Sequence, residues 1–323
     1  MSKASVGFHA SHEQHPPSRL LALVQSAQQA GFQCGMCSDH FNPWGTVQGQ
    51  SGFAMSWLGA ALQAVPQWTF GSVSAPGQRY HPAIHAQATA TLAEMFPNRV
   101  WFAFGSGQYL NEHITGDRWP TKAERNERLQ ESVRVIRALW NGETVNERGK
   151  YFNVEEAKLF TRPKRAPLIY AAALTEATAR FVGGWADGLI TVQAEPEKLR
   201  KLINAFRDGG GEGKPMSLQV HLAYAKTDEE ARSAAHEQWK TNNFESKVLS
   251  DIKTPEQFDA LGQRVRPEDM DGAVRISSDL KRHVAWLQQD MELGFDHLYL
   301  HEAGLDQERF IDAFGAHVLP NLR

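Results

Sequence analysis

The decapeptide MCSDHFNPWG, residues 36–45, sets an adjacent acid and base at the end of an apolar run. Asp39 and His40 are followed at once by Phe41, Pro43 and Trp44. An imidazole, with an ordinary pKa near 6.5, can take up or return a proton at neutral pH. A carboxylate beside it can orient it or hold another polar group, and the aromatics can keep water away. An ordinary turn can carry the same residues, so the rest of the chain has to decide. Other strand-like runs end in similar material. The first ends near His9, His12 and Glu13, and the third in Ser72-Val73-Ser74-Ala75-Pro76. The fourth ends in Gly105-Ser106-Gly107-Gln108, the fifth in Ala171-Ala172-Ala173-Leu174-Thr175, and the eighth in His301-Glu302.

Two further motifs have a physical reading of their own. Thr175 stands at the expected N-cap of a helix, with Thr178 one turn in. Free N–H groups and the helix dipole favour a phosphate there, and plain capping is the competing account. Cys34 and Cys37 form a C-x-x-C. Residues three apart on a strand face opposite ways, and no second pair completes a zinc set. They are expected to be small core residues.

What positions these residues is a regular alternation. Strand-like runs at 5–10, 34–39, 69–75, 100–105, 167–173, 189–192, 218–225 and 298–301 alternate with helical stretches at 16–32, 51–64, 82–96, 122–139, 176–185, 197–206, 228–239 and 307–318. Leu129, Val133, Ile136 and Leu139 give one of those helices its i, i+3, i+4 spacing. Eight βα units predict a parallel sheet closed into a (β/α)8 TIM barrel, with its site at the C-terminal strand ends. The runner-up, an open doubly wound sheet, lacks a G-x-G-x-x-G opening helix. Two stretches break the rhythm. Residues 141–165 read as a hairpin with RGKYFNV and KLFTRP as arms, and 244–278 as an irregular cover over the mouth. With no linker or low-complexity tract, a single domain over 1–323 is expected.

Bulk composition removes other classes. The net charge of -3, with no basic stripe, argues against a nucleic-acid partner. No apolar run reaches the 18 or so residues of a membrane span, and Met1 opens onto a strand-like run without a signal-type apolar region. A cytoplasmic protein acting on a small molecule is expected.

The segments HASHEQ, SDHFNPW, GQRYHPAIHAQATATLAEMFPNR, GSGQYLNEHITG, ERLQESVRVIRALWNGE, WADGLIT and GFDHLYLHEAGLDQERF carry a resemblance. From Val6 to the C-terminus the chain resembles the luciferase-like flavin and deazaflavin oxidoreductases, nearest the branch with the F420-dependent glucose-6-phosphate dehydrogenases. The resemblance implies a TIM barrel, hydride transfer or monooxygenation at a flavin-type ring in the barrel mouth, and a homodimer. Carried over, Asp39 would meet the polar edge of the ring and His40 the substrate. Trp44 would wall the substrate side, and Glu13 would stand near His40. Ser72-Val73 would form a non-proline cis peptide beneath the ring, next to Ala75. Gly107 and Asn111 would border the ring. Ala172, Ala173, Leu174, Thr175 and Thr178 would meet the cofactor phosphate.

Three departures shape the expectation. Gln108 stands where the close dehydrogenases carry Glu, and an amide cannot ionise. Proton transfer then rests on His40 and Glu13. The stretch after the sixth strand, Thr191-Val192-Gln193-Ala194-Glu195, has no counterpart to the Lys of the sugar-phosphate enzymes, which makes glucose 6-phosphate doubtful. The fifth-strand loop AAALTEA lacks the glycines of the deazaflavin enzymes, which tilts the cofactor expectation to FMN, with F420 the alternative. Two other classes stay open: a metal-dependent hydrolase using His9, His12, His15, His40 and His301, although their spacing is no familiar metal motif, and a cofactor-binding barrel without turnover, should Gln108 mark a lost acid.

Overall fold

The structure is a computed structural model and describes residues 4–322. Eight parallel strands form the barrel: β1 Ser5–Ala10, β2 Cys34–Ser38, β3 Phe70–Ser74, β4 Val100–Phe104, β5 Leu168–Ala172, β6 Gly188–Val192, β7 Met216–Ala223 and β8 His297–Glu302. Each pairs with the next, β7 pairs with both β6 and β8, and β8 returns to β1, which closes the ring. The expected TIM barrel is what the chain forms. The helices that follow the strands in turn are α1 Pro17–Ala30, α2 Ala54–Ala64, α3 Pro82–Met95, α4 Lys122–Asn141, α5 Glu176–Gly183, α6 Pro196–Phe206, α7 Asp228–Trp239 and, after three further helices of which Leu280–Glu292 is the last, α8 Gln307–His317.

The local reasons are legible. Pro17 begins α1 where its missing N–H costs nothing, and Gly31 ends it in the left-handed region at φ 103°. Thr121 and Glu124 form a capping box at the start of α4. Alternation along the strands sorts the side chains. Val6, Phe8 and Ala10 of β1 and Leu218, Val220 and Leu222 of β7 pack outward against the helices. The opposite faces fill the barrel. Trp101 lies 5.4 Å from Tyr170 and 5.3 Å from Tyr299 between ring centroids, plugging the interior. Glycines make room: a Cβ on Gly71 would fall 2.2 Å from Trp101, and one on Gly188 would fall 2.6 Å from Tyr170. A filled interior leaves the C-terminal rim as the place for a ligand.

Four expectations change. The peptide bonds of the described residues are all trans, so Ser72–Val73 is not a cis bond. Both residues lie in an unbroken ladder, Ser72 between Cys37 and Phe102 and Val73 between Ser38 and Ala103. The hairpin arms are Val145–Arg148 and Asn153–Ala157, so KLFTRP is not an arm. The turn between them hangs on Glu131 of α4, whose carboxylate accepts the N–H groups of Lys150, Tyr151 and Phe152. The stretch 244–278 is not irregular. It holds helices at Ser246–Asp251 and Pro255–Gly262, and a two-residue strand, Arg275–Ile276, that pairs in parallel beside the last residues of β7. The helix Leu280–Glu292, capped by Asp279, was not assigned from sequence. Cys34 and Cys37 are free, buried and on opposite faces, one inside the barrel and one outside.

Candidate active site

Glu13 and His40 come together at the rim, one from the loop after β1 and the other just past β2. His40 Nδ1 stands 2.8 Å from Glu13 Oε1, with the carboxylate buried and the imidazole 16% exposed. Ser38 and Ser11 donate to Glu13 Oε2 at 2.6 Å and 2.9 Å. Burial pushes the Glu13 carboxyl up, but His40 and Ser38 outweigh it and hold the group well below the usual carboxylate range. Nδ1 is the ring nitrogen that faces that anion. Nε2 is then the lone-pair nitrogen available for proton transfer. Trp44 lies edge-on to His40, 5.0 Å between centroids, and rests at 5.4 Å on Phe258 of the covering segment. That segment also grips the loop after β2, where Asp259 accepts from Thr46 Oγ1 at 2.6 Å.

Asp39 sits in a cluster that was not foreseen. Tyr80 donates to its Oδ1 at 2.9 Å, Arg79 donates to its backbone carbonyl at 2.9 Å, and an Arg79 nitrogen lies 3.3 Å from Oδ2. Arg79 also spans to Glu112, whose Oε2 accepts the Arg79 backbone N–H at 2.7 Å. One guanidinium thus ties the ends of β2, β3 and β4 into one wall. Burial raises the Glu112 carboxyl and Arg79 opposes that shift. Sequence reading quoted these residues in GQRYHPA and LNEHITG but assigned them no role. An Arg between two buried acids is the signal that tertiary contact reveals.

The remaining candidates divide by strand. Val73, Ala75, Gly105, Gly107 and Ala172 line the mouth with little or no side chain. A Cβ on Gly107 would approach Ala75 at 3.6 Å, and one on Gly105 would approach Ala172 at 3.7 Å. Gly107, at φ 87°, also leads the chain into the short helix Tyr109–Glu112. Asn111 Oδ1 accepts the Phe41 and Asn42 N–H groups, and its amide donates to Gln108 Oε1 at 3.3 Å. Ser72 differs: its side chain is on the outer face, beside Cys37. Ala173 is buried and Leu174 exposed, whereas Thr175 and Thr178 do what capping predicts. Thr175 Oγ1 accepts the Thr178 N–H at 3.3 Å and donates to its hydroxyl at 3.0 Å.

Two features fit a flavin-type ring. The small-residue wall of β3, β4 and β5 leaves room for a flat group that side chains would fill. Asp39 Oδ2 is buried and, although an Arg79 nitrogen lies 3.3 Å away, accepts no hydrogen bond, which leaves an acceptor for a ring N–H. A metal set does not form: among the described residues no three His, Cys, Asp or Glu side chains converge on a common point. His9 and His301 do approach, at 4.6 Å between centroids, with His221 5.2 Å beyond. His12 instead contacts the Gly52 carbonyl, at 2.8 Å.

Residues 2–297 match the model of the luciferase-like monooxygenases. The chain belongs to that family. Membership accords with the closed barrel and the acid–base pair at its mouth. The chain is 34% identical over 325 residues to an F420-dependent glucose-6-phosphate dehydrogenase of Nakamurella multipartita, covering 98% of this chain and 96% of the relative. It is 33% identical over 334 residues to the protein of that name from Tsukamurella paurometabola, covering 100% and 99%. A solved F420-dependent secondary alcohol dehydrogenase, in complex with an F420-acetone adduct, superposes with a TM-score of 0.91 at 28% identity over 99% of both chains.

Proposed function

We propose that this family member is an F420-dependent dehydrogenase that moves hydride between a small alcohol or its carbonyl product and the deazaflavin. The observation that carries it is the His40–Glu13 pair at the rim, 2.8 Å apart, with Nε2 left free beside Trp44. The full-length relatives named above support the deazaflavin over FMN, the cofactor favoured by the glycine-poor fifth loop. When bound, the deazaflavin supplies a two-electron acceptor or donor of hydride. Asp39, Gly107, Asn111 and the small-residue wall would hold its ring, and Thr175 and Thr178 its phosphate. Removing hydride from a carbinol carbon requires the O–H proton to leave as well. His40 Nε2 accepts that proton, and the Glu13 carboxylate stabilises the imidazolium that results. In the opposite direction the same nitrogen returns the proton. Trp44 and Phe258 screen the exchange from water.

The test is titration with F420 and with FMN, read by the fluorescence of each, followed by turnover of a secondary alcohol. F420 should bind and FMN should not. His40→Ala should lower turnover about 10²–10⁴-fold, the usual size of a lost acid–base group, and leave F420 affinity within a few-fold. Asp39→Ala should weaken F420 instead. Binding of FMN alone, or the reverse pattern in the two variants, would overturn the reading.

A further inference from the structure

The inner face of β7 carries polar side chains that the acid–base mechanism does not use. Gln219 and His221 alternate with the outward Leu218, Val220 and Leu222, so both point into the barrel. They are also the two residues of β7 that keep partial exposure. Neither side chain has a protein hydrogen-bond partner among the described residues. His221 is flanked by Trp239 at 5.0 Å and His301 at 5.2 Å. His9 continues the layer, its ring 4.6 Å from that of His301, and is the member of it on whose titration Glu13 and His40 also act. Burial pushes His221 down to about 4 and His9 down to about 3, so both rings are neutral at working pH. Neutral groups that keep partial exposure and have no protein partner are poor partners for an anion and good ones for hydroxyls.

The neighbouring wall offers no replacement charge. Residues 191–195 contain no Lys or Arg. The Gln193 amide is spent on backbone: it donates to the carbonyls of His221 at 3.1 Å and Ala273 at 2.9 Å, and accepts the His221 N–H. Arg275, on the short strand beside the end of β7, is bound by both nitrogens to the buried Asp290 carboxylate. A phosphate dianion prefers charge-assisted donors. Other cations belong to other elements: Lys122 donates to Ser106 Oγ at 2.6 Å, and Lys247 and Lys253 stand on the covering segment, the latter 5.9 Å over the Tyr109 ring.

We infer that Gln219 and His221 are the specificity-determining residues of this site, and that they select an uncharged alcohol bearing at least one further hydroxyl, a diol or an unphosphorylated sugar, over a phosphate ester. The inference rests on the F420-dependent dehydrogenase reading. It separates this chain from relatives named for glucose 6-phosphate, although they match over its whole length.

The experiment uses the F420-loaded protein with 1,2-propanediol, glucose, glucose 6-phosphate and 2-propanol. F420 binding is measured first, by fluorescence, and its failure would count against the parent reading alone. Given binding, an uncharged polyhydroxy substrate should exceed glucose 6-phosphate at least about tenfold in kcat/KM. His221→Phe and Gln219→Leu should each raise KM for that substrate about tenfold, the size of a lost hydrogen bond in a closed site. Neither should move kcat or the F420 Kd by more than a few-fold. His221→Gln, which keeps a donor and an acceptor, should restore KM, and 2-propanol, with no second hydroxyl, should be indifferent to all three. Glucose 6-phosphate as the better substrate would overturn the inference, and loss of its turnover in Lys247→Ala or Lys253→Ala would assign the contact to the covering segment. Failure of both polyhydroxy compounds to react, or a KM unmoved by either β7 variant, would overturn it as well.

Discussion

Gln108 is the clearest single-residue departure from the dehydrogenases that the chain resembles. Its Oε1 is taken by the Asn111 amide at 3.3 Å, and its own N–H groups have no protein acceptor among the described residues. An amide so placed donates a hydrogen bond and cannot release a proton. Glu13 stays anionic because His40 and Ser38 hold its carboxyl far down against the cost of burial. One titration, that of the His40–Glu13 pair, should therefore dominate the pH–rate profile. Gln108→Glu should add a second limb, shifted upward where the carboxyl is desolvated. The measurement is turnover against pH for both proteins with the same alcohol. Profiles of identical shape would show that position 108 takes no part in proton transfer.

Among the elements, the loop after β3 is the one that organises the mouth. Its Arg79 holds the Asp39 carbonyl and carboxylate and the Glu112 carboxylate, all buried, so three strand ends share one cation. Removing one partner from a buried ionic cluster strands the others without compensation. Arg79→Met should cost about 3–5 kcal/mol of unfolding free energy by urea denaturation. It should also weaken F420 binding, because Asp39 loses its orientation. Arg79→Lys keeps the charge but not the planar fork, so it should recover stability in part and cofactor affinity less. Stability unchanged in Arg79→Met would mean that the two acids take up protons and the clamp is not what orders the wall.

At the scale of the whole molecule, buried histidines set the response to acid. Burial drives His9 and His85 to about 3, and His15, His221 and His283 to about 4. Each is neutral in the folded chain at pH values where the unfolded chain, with an ordinary imidazole near 6.5, binds a proton. The unfolded state therefore holds more protons between about 4 and 6.5, and stability falls as pH falls through that window. Each such histidine contributes up to about 1.4 kcal/mol per pH unit there. Glu302 acts in the opposite sense. Burial raises its carboxyl to about 8, so its contribution is complete below the ordinary carboxylate range and is lost as pH rises toward 8. Urea unfolding at pH 5, 6.5 and 8 should give a steep loss on the acid side and a shallow one on the basic side. Equal stability at pH 5 and 6.5 would contradict it.

The amino-acid sequence by itself determined the barrel, because alternation at period two and helical spacing at period 3.6 are local properties of each run. All eight units appear, and β1 falls at Ser5–Ala10, the span expected. Asp39-His40 and Glu13 were legible for a similar reason: a polar residue that ends an apolar strand must lie at the rim. The trans bond at Ser72–Val73, the placement of the hairpin arms and the ordering of 244–278 were decided by pairing and by docking onto α4 and the mouth, which no local pattern encodes. The Arg79 clamp and the β7 wall belong to the same class. Arg79 meets acids 40 and 33 residues away in the chain. The polar i, i+2 pair Gln219 and His221 inside LQVHLAYA was the available signal, and it gains meaning only from closure of the barrel. That closure turns one face of β7 toward His9 and His40, whose positions on the chain lie some two hundred residues earlier.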